Sequence, residues 1–258
     1  MLQAFSDLKG LSLGALDGDI GSVQDAFFDD HWWTVRYFVV ATGNWFTGRE
    51  VLISPMAIRA RNWNSRRLDV YLTREKIRNA PLPEIDQPVS RQFESRYSAH
   101  YGYPTYWSGP LLWGAISYPG LNPDGVAGAA EFYQPPQRKH REGDPHLRSS
   151  VEVKGYHIRA SDGSIGHVED FLVDDRNWSL RFFVVDTRNW LPGKKVLIAT
   201  DWIERVDWQQ SEVSVAMTRD EVRASPTYDH EELMSSDEQT RLDQYQRSIS
   251  SRLDADAR

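Results

Sequence analysis

The chain has 258 residues, 40% hydrophobic and 26% charged, with a formal net charge of -7. This is the composition of a folded chain with room for one large or two small domains. The acidic balance excludes a protein held to nucleic acid by a general positive field, and the absence of cysteine removes disulfides, thiolate nucleophiles and cysteine-ligated metal centres together.

Met1 to Gly10 has no basic region followed by an apolar core, so no secretory signal is read and a cytoplasmic location is expected. Leu11, Leu13 and Ala15 alternate with polar neighbours, Asp17-Gly18 offers a tight hairpin turn, and the chain returns from Ile20 through Val23 to Phe28. Asp29 to Trp33 reads as the next turn, and Val35 to Ala41 as a nearly continuous apolar strand. Gly43-Asn44 with Gly48 marks a loop before a strand at Glu50 to Ser54, and a last hairpin runs from Ala57 to Tyr71. Thr73 then caps a short helix that Pro81 stops, and Ser90 caps a second helix with Phe93, Tyr97 and Tyr101 on one face until Gly102. Tyr101 to Tyr118 is crowded with aromatics, glycine and proline and is expected to pack. Gln134 to Ser150 is polar and charged and reads as a flexible linker. No run approaches the roughly 18 apolar residues that span a bilayer.

The second half repeats the first. Asp17 to Pro81 aligns without a gap on Asp162 to Pro226, at a constant offset of 145 with 27 of 65 positions identical. The hairpins recur through Ile158, Asp162-Gly163, Leu180 to Asp186, Lys195 to Ala199 and Trp202 to Met217. Thr218 with Glu221 adds a capping box before Pro226. From Ser235 a further helix places Leu242, Tyr245, Ile249 and Leu253 on one side. A repeat of this size buries too little surface to be robust alone, so the aromatic segment or the other copy is expected to cover it. Four regions follow: repeat one over 8–82, a helix with the aromatic segment and linker over 83–150, repeat two over 151–227, and a helical tail over 228–258.

Each repeat resembles the PRC-barrel family, the β-barrel module of the photosynthetic reaction-centre H subunit and of a ribosome maturation factor. The likeness rests on Asp17-Gly18-x-Ile20-Gly21-x-Val23-x-Asp25, Arg36-Tyr37-Phe38-Val39-Val40, Gly48-x-x-Val51-Leu52-Ile53-Ser54 and Thr73-Arg74-x-x-Ile77 leading to Pro81, each with its counterpart 145 residues on. The resemblance implies a mainly β fold of two duplicated small PRC-type barrels, each followed by short helices. It also implies a bacterial, non-catalytic binding or assembly module with a protein partner. By analogy with the H subunit that partner is a photosynthetic or electron-transfer complex, met from its membrane face. A quinone-like ligand or an enzymatic site between the barrels, and association with a ribosomal protein, are the alternatives. Direct nucleic-acid binding is not expected, and self-association is left open.

No residue earns a catalytic, cofactor-binding or metal-binding role from the sequence. Gly10-x-Ser12-x-Gly14 fits the pattern of a hydrolase nucleophile turn, but Ser12 lies in an alternating strand that enters a hairpin rather than a helix. The histidines, at 31, 100, 140, 146, 157, 167 and 230, show no spacing that puts two imidazoles on one metal from one helix. Asp29-Asp30 and Asp174-Asp175 read as turn-forming acids. Three tryptophan pairs repeat (Trp33/Trp178, Trp45/Trp190, Trp63/Trp208) and are assigned to packing, whereas the unpaired Trp32, Trp107, Trp113 and Trp202 are expected to make contacts outside the barrels. In the last hairpin repeat one carries Arg59, Arg61, Arg66 and Arg67 where the aligned stretch of repeat two carries Glu204, Arg205, Asp207 and Glu212, opposite local charges that would orient a pseudo-symmetric pairing or a head-to-tail contact between chains.

Overall fold

The computed structural model describes residues 1–46, 48–82, 89–119, 147–187 and 194–256. These divide into two units that do not follow the repeat boundaries: Leu8–Ser150 with Arg176–Trp178, and Met1–Asp7 with Val151–Asp175 and Ser179–Arg258. We call them the first-repeat and second-repeat units.

In the first-repeat unit the hairpins form where the turn residues place them. The strands β2 (Ser12–Ala15) and β3 (Gly18–Asp29) join at Asp17-Gly18, and β4 (Thr34–Thr42) and β5 (Glu50–Ile53) continue the antiparallel run. The last hairpin, β6 (Ile58–Asn62) and β7 (Arg67–Val70), returns so that β7 lies parallel to β2, giving the order β5-β4-β3-β2-β7-β6. The path is open among the described pairings, whereas the sequence led us to expect a closed barrel. Both faces of β4 are covered, which accounts for its continuous apolar run. The core gathers Leu13, Ile20, Val23, Phe28, Phe38, Val40, Leu68 and, from the short helix α2 (Arg74–Arg78), Ile77. Thr73 caps α2 by accepting from the Lys76 N–H. Ser90 caps α3 (Arg91–Tyr101) in the same way from Phe93, and Gly102 closes α3 in the left-handed conformation at φ 72°.

The second-repeat unit copies this plan. Its strands β9 (His157–Ala160), β10 (Gly163–Asp174), β11 (Leu180–Asp186), β12 (Lys195–Ala199), β13 (Ile203–Asp207) and β14 (Glu212–Val215) take the order β12-β11-β10-β9-β14-β13. The capping box of α5 (Arg219–Ala224) forms as expected, Thr218 and Glu221 satisfying each other's backbone N–H groups. The tail is a helix, α6 (Ser236–Asp256), with Leu242 fully buried. No described helix is long and apolar enough to cross a membrane.

The seventh strand of each sheet comes from an unexpected place. Leu2–Ala4 forms β1, which precedes repeat one in the chain but pairs with β10 of repeat two, Leu2 opposite Asp174. Leu147–Ser149 forms β8, which leads into repeat two but pairs with β3 of repeat one, Leu147 opposite Asp29. A four-residue helix follows each: α1 (Phe5–Leu8) after β1, and α4 (Ser150–Val153) after β8. This corrects the expected linker over 134–150. Its residues up to 146 lie outside the described ones, but 147–150 are ordered because β3 is twelve residues long and β2 pairs only with its first half. Leu147–Ser149 complete that free edge, which would otherwise leave backbone groups unpaired.

Candidate functional site

The two units use the same pair of side chains at the same place and finish it differently. In the first-repeat unit Arg36 of β4 is fully buried, with its Nε 2.5 Å from Asp29 Oδ2 at the end of β3. Its Nη1 donates to the Leu112 carbonyl at 2.7 Å, and its guanidinium lies 3.9 Å from the Tyr106 ring centre and 4.7 Å from that of Trp113. The aromatic segment therefore holds a charge that burial alone would expel, through a paired carboxylate, a backbone acceptor and two ring faces. Trp113 donates its Nε1 to the Asn177 carbonyl at 2.9 Å. Glu94 of α3, also fully buried, accepts from Tyr106 Oη at 2.7 Å, Arg91 at 3.1 Å and Tyr37 Oη at 3.2 Å. Burial first, then the Glu94 charge, pushes the Tyr37 and Tyr106 hydroxyls far above the ordinary phenol range, so both remain proton donors.

In the second-repeat unit the counterpart is Arg181 with Asp174, 3.3 Å apart. Among the described residues no aromatic ring stacks on it there. The helix α6 supplies Asp243 at 3.4 Å and the Gln246 amide oxygen, and the Arg181 side chain keeps 20% of its exposure.

A second repeated acid anchors the segments that supply β1 and β8. Asp25 and Asp170 sit at a register shift in β3 and β10. Asp25 accepts from the Ser149 and Ser150 hydroxyls, both at 2.5 Å, and from the Ala26 N–H at 2.7 Å. Asp170 accepts from the Ser6 N–H at 3.2 Å and the Phe171 N–H at 2.9 Å. Burial raises the Asp170 carboxyl above its ordinary value, with the hydrogen bonds from Ser6 and Phe171 working in the opposite direction.

The remaining polar grouping is His167, Glu169 and Asp186 in the second-repeat unit. One donor atom from each lies within 4.8 Å of the others. His167 Nε2 is 4.0 Å from Asp186 Oδ2, and Lys195 Nζ is 3.1 Å from Glu169 Oε1. Asp186 is buried, while His167, Glu169 and Lys195 are part-exposed. Sequence reading missed this set because it searched for histidine pairs. The available signal was His167-x-Glu169, two like-facing positions on a strand, but Asp186 joins them only through the β10–β11 register.

The other sequence expectations resolve as follows. Ser12 is a strand serine whose hydroxyl donates to the Arg66 carbonyl at 3.2 Å. Asp29 makes the expected turn, accepting from the Trp32 N–H at 2.6 Å, and it also holds Arg36. Trp113 and Trp202 are buried within their own units, Trp32 is exposed, and Trp107 is half-buried under Arg91. Trp33 and Trp178 both adopt left-handed backbone at φ 48° and 63°. Trp33 stacks on Phe28, while Trp178, fully buried, meets Phe38 edge-on. Trp45 donates to the Ile20 carbonyl; its partner Trp190 lies outside the described residues, as do His140 and His146. His31 lies edge-on to Trp32, His100 bonds the Lys76 carbonyl, His157 is exposed on β9, and His230 meets Tyr228 and Asp7. In the last hairpin Arg67 pairs with Asp69 and Asp19 and Arg66 donates to the Lys9 carbonyl, so both are engaged inside their unit.

No family model matches the chain, and no curated protein matches it.

Proposed function

We propose that the chain is a cytoplasmic, non-catalytic assembly module of two PRC-type barrels, which docks a protein partner through its aromatic segment. The observation that carries this reading is the two-sided character of residues 106–118. Tyr106 and Trp113 turn inward onto Arg36, while Leu111, Ile116 and Tyr118 turn outward, three of the nine large apolar side chains exposed among the described residues. A segment fixed from beneath presents its apolar side at little further cost in conformational entropy, as a docking surface requires. The partner class, a subunit of an electron-transfer complex, is supported by the H-subunit resemblance alone.

The test is affinity purification of the tagged full chain from its host, beside the triple variant Leu111→Ser, Ile116→Ser, Tyr118→Ser. A stoichiometric protein partner held by the parent and lost by the variant is expected. A partner retained by the variant, or a bound small molecule with no protein partner, overturns the proposal.

A further inference from the structure

We propose that His167, Glu169 and Asp186 bind one divalent transition-metal ion, of the manganese-to-zinc class, and that Lys195 is the resident counter-charge the ion displaces. The donor set is one imidazole nitrogen and two carboxylate oxygens, a mixture that suits borderline first-row ions better than magnesium or calcium, which favour oxygen alone. Such an ion makes bonds of about 2.0–2.2 Å and so holds neighbouring ligands roughly 3–3.5 Å apart. The three donor atoms already lie within 4.8 Å of one another, so small side-chain rotations at the two part-exposed ligands close the gap.

The sheet builds this arrangement. His167 is directly opposite Asp186 on β11, and Asp186 is directly opposite Lys195 on β12, so the three stand in one cross-strand row on the same face. Next to His167, a Cβ on Gly166 would overlap the Asp186 carbonyl, so the glycine lets β10 and β11 approach closely at this row. On the other side of His167 the row continues to His157 of β9.

The duplicate supplies an internal comparison. The equivalent row of repeat one reads Ser12, Ser22, Ala41 and Glu50 in the same register, where repeat two reads His157, His167, Asp186 and Lys195. Glu169 is likewise replaced by Gln24. Between and beside these positions the copies keep Gly21/Gly166, Val23/Val168 and Asp25/Asp170 unchanged. The fold thus tolerates a row whose first three members are uncharged at this place, and repeat two has exchanged those three for two histidines and an aspartate and the fourth, Glu50, for a lysine. Lys195 balances part of the charge by its 3.1 Å contact with Glu169, and its side chain, 42% exposed, is free to swing into solvent when an ion arrives.

The experiment uses the chelator-treated full chain titrated with Co2+ and Zn2+, followed by Co2+ visible absorption and by calorimetry. One equivalent is expected, with a metal-dependent rise in unfolding temperature. His167→Ala and Glu169→Gln are at part-exposed positions and should unfold at the parent temperature without metal. With metal they lose the Co2+ spectrum and weaken binding at least tenfold. Lys195→Gln removes a competing positive charge and should tighten binding about fivefold. The proposal is overturned if the parent shows no binding up to millimolar metal, if His167→Ala binds as the parent does, or if Lys195→Gln weakens binding.

Discussion

Arg36 and Arg181 occupy the same position of the repeat, pair with equivalent aspartates, Asp29 and Asp174, and differ in what closes over them. Arg36 is sealed under Tyr106 and Trp113 with essentially no exposure; Arg181 is bridged by polar residues of α6 and remains partly wet. A duplicated sheet can thus keep one strand motif and vary its cover, and the cover decides whether the motif's arginine is sealed from water or partly solvated.

The comparison breaks most sharply at the arginines themselves. Arg36→Ala leaves Asp29 buried without its partner and should cost about 3–5 kcal/mol, whereas Arg181→Ala should cost less, about 1–2 kcal/mol, because Arg181 is already one-fifth exposed and the buried Asp174 keeps the N-terminal ammonium of Met1 3.7 Å away. Urea unfolding of each full-length variant checks this, and equal losses would mean that the aromatic cover adds nothing. Gly21→Ala and Gly166→Ala, by contrast, should hurt both units alike by about 2 kcal/mol or more, since each new Cβ would overlap a carbonyl of the neighbouring strand.

Asp170→Asn sharpens the comparison through pH. The Asp170 carboxyl titrates higher in the folded chain than in the unfolded one, so between those two values the folded state binds more protons. Its contribution to stability therefore falls as pH rises through that window and stays low above it. Relative to the variant, the parent should gain stability as pH drops from neutral toward the ordinary carboxylate range, read from unfolding midpoints across pH. The smallest effect is at the caps. Thr218→Ala breaks a reciprocal box and should cost about 1 kcal/mol, and Thr73→Ala, which removes a single capping bond, should cost less.

What could be read from the sequence was whatever local chemistry determines. Asp17-Gly18 set the first hairpin, and Thr73, Ser90 and Thr218 marked the helix starts, because turn and cap bonds join residues two to four apart. The buried charge left a trace as well: Arg36 stands in an otherwise apolar strand, the pattern of an ion that must find a partner indoors. The strand exchange left almost none. Leu2–Ala4 is three residues long, and its pairing with Asp174 depends on a free edge that exists only after β9 and β10 have paired. The His167 set was hidden for the same reason, since its third member arrives through register rather than spacing.

The exchange of β1 and β8 bears on how the protein is made. Leu2 leaves the ribosome well before Asp174, its partner 172 residues later, and at about 5–20 residues per second that wait is on the order of 10–30 s. During that interval the nascent chain carries an unclaimed strand, and the first repeat lacks Leu147–Ser149 as well. The first sheet waits for Leu147–Ser149 and the second for its own strands, so neither is finished when repeat one alone has been translated. A stop codon between repeat one and Leu147 would leave a product with a strand belonging to a sheet it does not contain and a sheet missing a strand it cannot supply, a natural substrate for chaperones and proteases.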